Sequence, residues 1–241
     1  MTGTLYGVGL GPGDPDLMSV RADRLVRKAR HIAYFRKAGR AGRARTIVDG
    51  MLASHAEDFA MEYPVTTEIA LTDPRYNDVL SRFYAQCTDQ LEVWVRSGED
   101  VVVLCEGDPF FYGSFMHVYA RLKDRVPVEV VPAITGMSAA WTASGAPITW
   151  GDDVLSTVMG TLEENALAHA MSCADALVVM KIGRNLPKVR RALEACGKAD
   201  RAVLVQYASM KGQEISKLSE FDGESLPYFS IVLVHGQGRR P

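Results

Sequence analysis

Cysteine is scarce in this chain: four among 241 residues, Cys87, Cys105, Cys173 and Cys196, widely spread and never spaced as Cys-x-x-Cys. That pattern suggests neither a zinc knuckle nor a disulfide framework, so the four read as reduced thiols in the core or on the surface. The five histidines, His31, His55, His117, His169 and His235, form no His-x-x-x-His or His-Glu pair of the metal-site kind, and no metal is expected. Long apolar runs are missing too. None approaches a membrane span, and Met1 to Gly11 has no basic start ahead of its apolar residues. No membrane partner is expected, and a cytoplasmic location is. Charge of one sign is not in excess either: the formal net charge is -2 with both signs interspersed, which speaks against a dedicated nucleic-acid or membrane-surface protein. What is present is 47% hydrophobic content, enough for one large domain or two modest ones with cores of their own. Small-molecule chemistry is the expectation.

Two nucleotide signatures are absent as well. There is no Gly-Lys-Ser/Thr of a P-loop, and the glycines at Gly7, Gly9, Gly11 and Gly13 alternate strictly, so Pro12 and Asp14 stand where a dinucleotide fingerprint wants small residues. The chain has instead two turns of one grammar, VGLGPGDPDLMSVRA from Val8 and VVVLCEGDPFFYG from Val101. Each reads as an apolar strand running into Gly-Asp-Pro and then a helix, with the aspartate as N-cap and the proline at the first helical position. The spacing predicts a strand over Thr4 to Gly9, a helix over Pro15 to Arg30, a strand over His31 to Phe35, a long helix over Arg75 to Arg96 and a buried parallel strand over Val101 to Cys105. This order implies a doubly wound, mostly parallel sheet with ligands at the carboxyl ends of its strands, where both turns sit.

From Pro132 the character changes. A small-residue stretch, PAITGMSAAWTASGAP, precedes strands expected over Ala176 to Ile182, Arg201 to Ala208 and Tyr228 to His235, with a helix over Pro187 to Ala195 stopped by Gly197. Lys211 to Leu226 reads as a polar loop or short hairpin connection. The simplest architecture is α/β in two domains, residues 1–131 with the mostly parallel sheet and residues 132–241 as a second, mixed α/β domain, with a cleft between them.

The segments GVGLGPGDPDLMSVRA, LCEGDPFFYG, VVPAITGMSAA, VVMKIGRN and VQYASM, in this order and spacing, resemble the tetrapyrrole methylases that use S-adenosylmethionine. The resemblance runs over essentially the whole chain. EYPVTTE at Glu62 to Glu68, Met180-Lys181 and Tyr207-Ala208-Ser209-Met210 are most similar to the branch of that family that methylates C-20 of precorrin-2 in cobalamin biosynthesis. It implies two unequal α/β domains, S-adenosylmethionine held folded between them, a tetrapyrrole substrate and a homodimer. Carried over residue by residue, the cofactor contacts fall on Pro12, Glu106, Gly107, Asp108, Phe111, Thr135, Gly136, Met180, Lys181, Tyr207 and Ala208. Glycine-rich backbone can approach a ligand closely, and the small residues Thr135 to Ala140 leave room for an adenosine. Asp108 can cap its helix, face the cofactor's ammonium, or do both.

One departure from the family pattern stands out. Where related uroporphyrinogen methylases carry an aspartate after the second strand, this chain has Phe35, so no carboxylate base is expected there. An electron-rich meso carbon can attack a sulfonium methyl without prior deprotonation, and placing carbon, methyl and sulfur in line supplies on the order of 7–11 kcal/mol. No catalytic side chain is singled out, though Asp23, Glu62 and Lys181 are possible participants in proton handling. For the substrate's several carboxylates the chain offers Arg36, Arg40 and Arg43 in RKAGRAGRAR, directly after the second strand; arginine suits bidentate carboxylate recognition, and the competing reading is a solvated basic loop. Other readings are a corrin-ring methylase of different carbon specificity, a diphthamide methylase with a protein substrate, and an adenosine-ligand sensor without turnover. A dehydrogenase is the weakest.

Overall fold

The computed structural model describes residues 2–65 and 73–240; Thr66, Thr67 and Glu68 of the EYPVTTE segment lie outside the described residues. The chain divides into two compact units, Met1–Thr135 and Gly136–Pro241.

In the first unit, β1 (Leu5–Gly9), α1 (Val20–Lys28), β2 (His31–Lys37), α2 (Arg43–Ile47), β3 (Glu57–Tyr63), α3 (Pro74–Arg96), β4 (Val101–Cys105), α4 (Phe115–Leu122) and β5 (Val128–Val131) follow one another. The five strands form one sheet in the order β3-β2-β4-β1-β5, and all its pairings are parallel. Because side chains alternate across a strand, β4 feeds two cores. Val101, Val103 and Cys105 join Leu91 and Val95 of α3 and Phe115 and Val118 of α4 on one face. Val102 and Leu104 join Ala22 and Val26 of α1 and Ala44 of α2 on the other. A parallel sheet covered on both faces needs apolar strands through and through, and all of β4 is buried. The chain leaves β1 toward β2 on one side and leaves β4 toward β5 on the other, so the carboxyl ends of β1 and β4 are the switch point where such sheets open a crevice.

Three local expectations are corrected. The helix after β1 does not start at Pro15: Asp14 accepts from the amide of Asp16 and caps only a 3-10 turn over Pro15–Leu17, Met18 turns extended, and Ser19, accepting from the amide of Ala22, caps α1. Pro109 starts no helix either; Asp108 closes a turn, and α4 begins at Phe115. The basic stretch is not one loop, since β2 runs through Lys37 and Arg43 opens α2.

The second unit contains α5 (Gly136–Ala143), β6 (Leu155–Met159), α6 (Glu164–Ser172), β7 (Ala176–Met180), α7 (Leu186–Ala195), β8 (Ala202–Gln206), β9 (Glu214–Lys217) and β10 (Ser230–Val234). Its sheet has the order β6-β7-β10-β8-β9 and is mixed: β6 and β7 are parallel, and β10 is antiparallel to both β7 and β8. Of the stretch Lys211 to Leu226, read as a polar loop or short hairpin connection, Glu214–Lys217 is β9, which pairs antiparallel with β8 outside that stretch. α6 and α7 cover one face through Leu167, Met171, Val189 and Leu193, and α5 covers the other through Ala140 and Trp141.

Candidate active site

At the switch point of the first unit the two glycine turns meet. The amide of Leu10 donates to the carbonyl of Cys105 (2.9 Å) and that of Gly107 to the carbonyl of Gly11 (2.8 Å), extending the β1–β4 ladder by an isolated antiparallel bridge between Gly11 and Gly107. The approach is too close for side chains: a Cβ on Gly9 would fall 2.6 Å from Ala133 Cβ and 2.8 Å from the Gly107 carbonyl oxygen. Gly107 itself has φ +65°, which glycine alone adopts without strain. Pro12 follows the bridge and is buried. Asp108 Oδ1 accepts from the amide of Phe110 (2.9 Å) and Oδ2 from that of Ala133 (3.0 Å), so one carboxylate fixes its own turn and ties it to the segment leaving β5. Phe111 donates its amide to the Asp108 carbonyl, and Tyr112 sits at φ +53°. The structure thus brings Pro12, Glu106, Gly107, Asp108 and Phe111 together where the two turns meet, with Thr135 two residues beyond Ala133.

Glu106 has electrostatics of its own. It is half-buried at the end of β4, and burial pushes its carboxyl up to about 7, against the opposing pull of the Arg43 guanidinium and a hydrogen bond from the Ala44 amide. Its neighbour Cys105 is raised further, first by burial and then by the charges of Asp108 and Glu106. Phe35 stands in the core instead: its ring stacks on Tyr63 with centroids 5.5 Å apart and meets Tyr84 edge-on at 6.0 Å.

In the second unit, β7 and β8 both run antiparallel to β10, so Met180-Lys181 and Tyr207-Ala208 leave the sheet at the same edge. Met180 and Ala208 pack against the same buried cluster as Met137 and Ile231, and Ile231 Cδ1 lies 3.9 Å from where a Cβ of Gly136 would be. Lys181 (φ +51°), Tyr207 (+52°) and Ser209 (+61°) are all left-handed without being glycine. Such strain persists only where surrounding structure over-determines it, and it clusters at ligand clamps. Ser209 was not singled out by the sequence: its Oγ is buried without a hydrogen-bond partner while its amide donates to Gln213 Oε1 (2.8 Å). No residue pattern betrays a left-handed serine; only coordinates do.

The three arginines differ. Arg36 is clamped onto Glu62 (Nη2–Oε1 2.6 Å). Arg43 faces Glu106, and Arg40 is exposed in the turn after β2, where its amide donates to the Lys37 carbonyl. Among the described residues, no group of three or more His, Cys, Asp or Glu side chains is placed to hold a metal ion, and no helix is long and apolar enough to cross a membrane.

The chain is similar to known proteins in sequence and in fold. A precorrin-2 C(20)-methyltransferase from Sinorhizobium sp is 46% identical over 239 residues, covering 99% of this chain and 98% of the relative. A cobalt-precorrin-2 C(20)-methyltransferase from Salmonella typhimurium is 28% identical, covering 98% of each. The crystal structure of uroporphyrin-III C-methyltransferase from Thermus thermophilus complexed with S-adenosylhomocysteine superposes with a TM-score of 0.66 at 25% identity, over 96% of this chain and 97% of that one. The family model of the tetrapyrrole (corrin/porphyrin) methylases matches residues 4–222, and with nearly the whole length accounted for, the chain belongs to that family.

Proposed function

We propose that the protein transfers a methyl group from S-adenosylmethionine to C-20 of precorrin-2, in cobalamin biosynthesis. The observation that carries this reading is the identity of 46% across 99% of the chain with a precorrin-2 C(20)-methyltransferase; the lower identity, 28%, with a cobalt-precorrin-2 enzyme favours the metal-free ring as substrate. S-adenosylmethionine supplies the methyl as an electrophilic sulfonium carbon. The residues present fit such a donor. In the first unit the turns after β1 and β4 come within backbone contact of each other and offer main-chain groups around Pro12, Glu106, Gly107 and Asp108, with Phe111 and Thr135 in the same segments. In the second unit Gly136, Met180, Lys181, Tyr207 and Ala208 are the cofactor contacts that the family resemblance implies, and the buried Ser209 hydroxyl is a hydrogen-bonding group in want of a partner. Arg40 and Arg43 take the carboxylates of the substrate, while Arg36 is already held by Glu62. A homodimer in the cytoplasm completes the reading, supported by the family resemblance and by the composition.

The test is incubation of the purified protein with methyl-labelled S-adenosylmethionine and precorrin-2, metal-free and cobalt-loaded in parallel, with NMR to locate the label. Label at C-20, faster on the metal-free ring, is expected. Label at another carbon, or none, overturns the proposal.

A further inference from the structure

Methylation at C-20 leaves a proton to be removed. The ring-bridging carbon carries a hydrogen: C-20 forms its new bond to the methyl carbon, the methyl–sulfur electron pair stays on sulfur, and C-20 is left with both methyl and hydrogen while the conjugated ring holds the positive charge. The step closes when a base takes that hydrogen as a proton and the C–H pair returns to the ring. Phe35, packed among Tyr63, Phe83 and Tyr84, has no group for this, and Asp108 already spends its two oxygens on the amides of Phe110 and Ala133.

We propose that the carboxylate of Glu106 is the proton acceptor, a role that rests on the functional reading above. The sheet register places it. Tyr34 of β2 pairs with Leu104 of β4, so Glu106 stands level with Arg36 at the carboxyl edge, directly before the bridge between Gly107 and Gly11. On one side are the turns whose backbone cradles the donor; on the other is α2, whose Arg43 and neighbouring Arg40 take the substrate's carboxylates. The base therefore lies between the two reactants' anchors. From α2 the Arg43 guanidinium and the Ala44 amide face it; Arg36 on β2 is held by Glu62, Asp108 two residues on is engaged by the Phe110 and Ala133 amides, and the Cys105 thiol lies on the other face of the sheet, against α3 and α4. With its carboxyl brought to about 7, Glu106 is substantially ionised at neutral pH, yet far more basic than an ordinary carboxylate. A substrate carboxylate that draws Arg43 away strengthens the base further when the ring arrives. After turnover the neutral acid returns its proton to water.

The experiment compares wild type with Glu106→Gln and Glu106→Asp. Carbon-13 NMR of the free protein, with the glutamate signal assigned by its loss in Glu106→Gln, is expected to show a carboxyl titrating near 7. The wild-type rate of methyl transfer to precorrin-2 should fall tenfold per pH unit below that value, and Glu106→Gln should lose roughly 10²–10⁴-fold in turnover together with this acid limb. S-adenosylhomocysteine titrated calorimetrically should bind wild type and Glu106→Gln within threefold of each other, and Glu106→Asp should recover part of the rate. A carboxyl titrating at an ordinary value, a Glu106→Gln turnover within threefold of wild type, or a loss of donor affinity as large as the loss of turnover each overturns the assignment. If wild type labels a carbon other than C-20, the functional reading alone fails, and the same pH profiles on that reaction decide the role of Glu106. No transfer by wild type overturns both.

Discussion

Gly7 is the middle of β1, paired with Val103 on one side and Val130 on the other, and the ring of Phe115 from α4 lies directly over it. A methyl group there would sit 2.2 Å from Cζ, 2.3 Å from Cε1 and 2.7 Å from Cε2 of that ring, whereas carbons rest at about 3.5–4.0 Å. Phe115 is 1% exposed and packed among Leu5, Val103 and Val118, so the ring cannot retreat without compressing the α3–α4 core. Overpacking of this kind costs about 1–3 kcal/mol. The backbone of Gly7 is not left-handed, so alanine brings no strain and recovers about 0.5–1 kcal/mol of chain entropy. The balance for Gly7→Ala is a loss of about 0.5–2 kcal/mol, a fall in Tm of roughly 1–8 °C. Phe115→Leu removes the three clashing carbons and alone costs part of the roughly 3–5 kcal/mol of a full truncation. The double variant should then be more stable than the two single losses summed, by at least about 1 kcal/mol. Urea denaturation of the four proteins measures the cycle. Losses that add within about 0.5 kcal/mol, or a Gly7→Ala protein that melts like wild type, would refute the reasoning.

Two further outcomes follow from groups already placed. Glu92 on α3 is nearly buried and clasped by Arg96 (2.7 Å) and Arg125, the Arg96 hydrogen bond chiefly holding its carboxyl below the usual 4.5. Its contribution is complete above that usual value and is lost as pH falls through the lowered one, so the stability gap between wild type and Glu92→Gln should be constant from pH 7 to 5 and close in more acidic solution; a gap unchanged at pH 3 contradicts the pairing. Asp108→Ala strips the acceptors from the Phe110 and Ala133 amides, which should cost about 1–3 kcal/mol and weaken S-adenosylhomocysteine binding by calorimetry, with Asp108→Asn, which keeps one acceptor, in between; wild-type melting and affinity in Asp108→Ala would remove it from the site.

The parts of the fold legible in the sequence were those written locally. β4 occupies the expected Val101–Cys105 because a fully apolar run between turn residues has one parallel-sheet reading, and α3 ends at Arg96 before Gly98 as foreseen. β3, EDFAMEY, escaped because an edge strand with exposed Glu57, Asp58 and Glu62 lacks a buried strand's pattern, and β5, only Val128–Val131, is too short to announce itself. The turn after β4 misled because a Gly-Asp-Pro that starts a helix and one that closes a turn are spelled alike; what decides is that Asp108 finds a second amide at Ala133, 25 residues on. The basic stretch was visible, but which arginine meets which acid was not, since Arg36–Glu62 and Arg43–Glu106 depend on strand order.

Strand order also governs how the first unit can come into being. β1 has only β4 and β5 for neighbours, so while the ribosome is still making the first hundred residues the sole strand pair available is β2 with β3. At the usual pace of roughly 5–20 residues per second, that leaves β1 waiting on the order of 5–20 s with two open edges. The nascent chain is most exposed to mispairing, and most in need of a holding chaperone, until Val101–Cys105 emerges and slots between the two halves of the sheet.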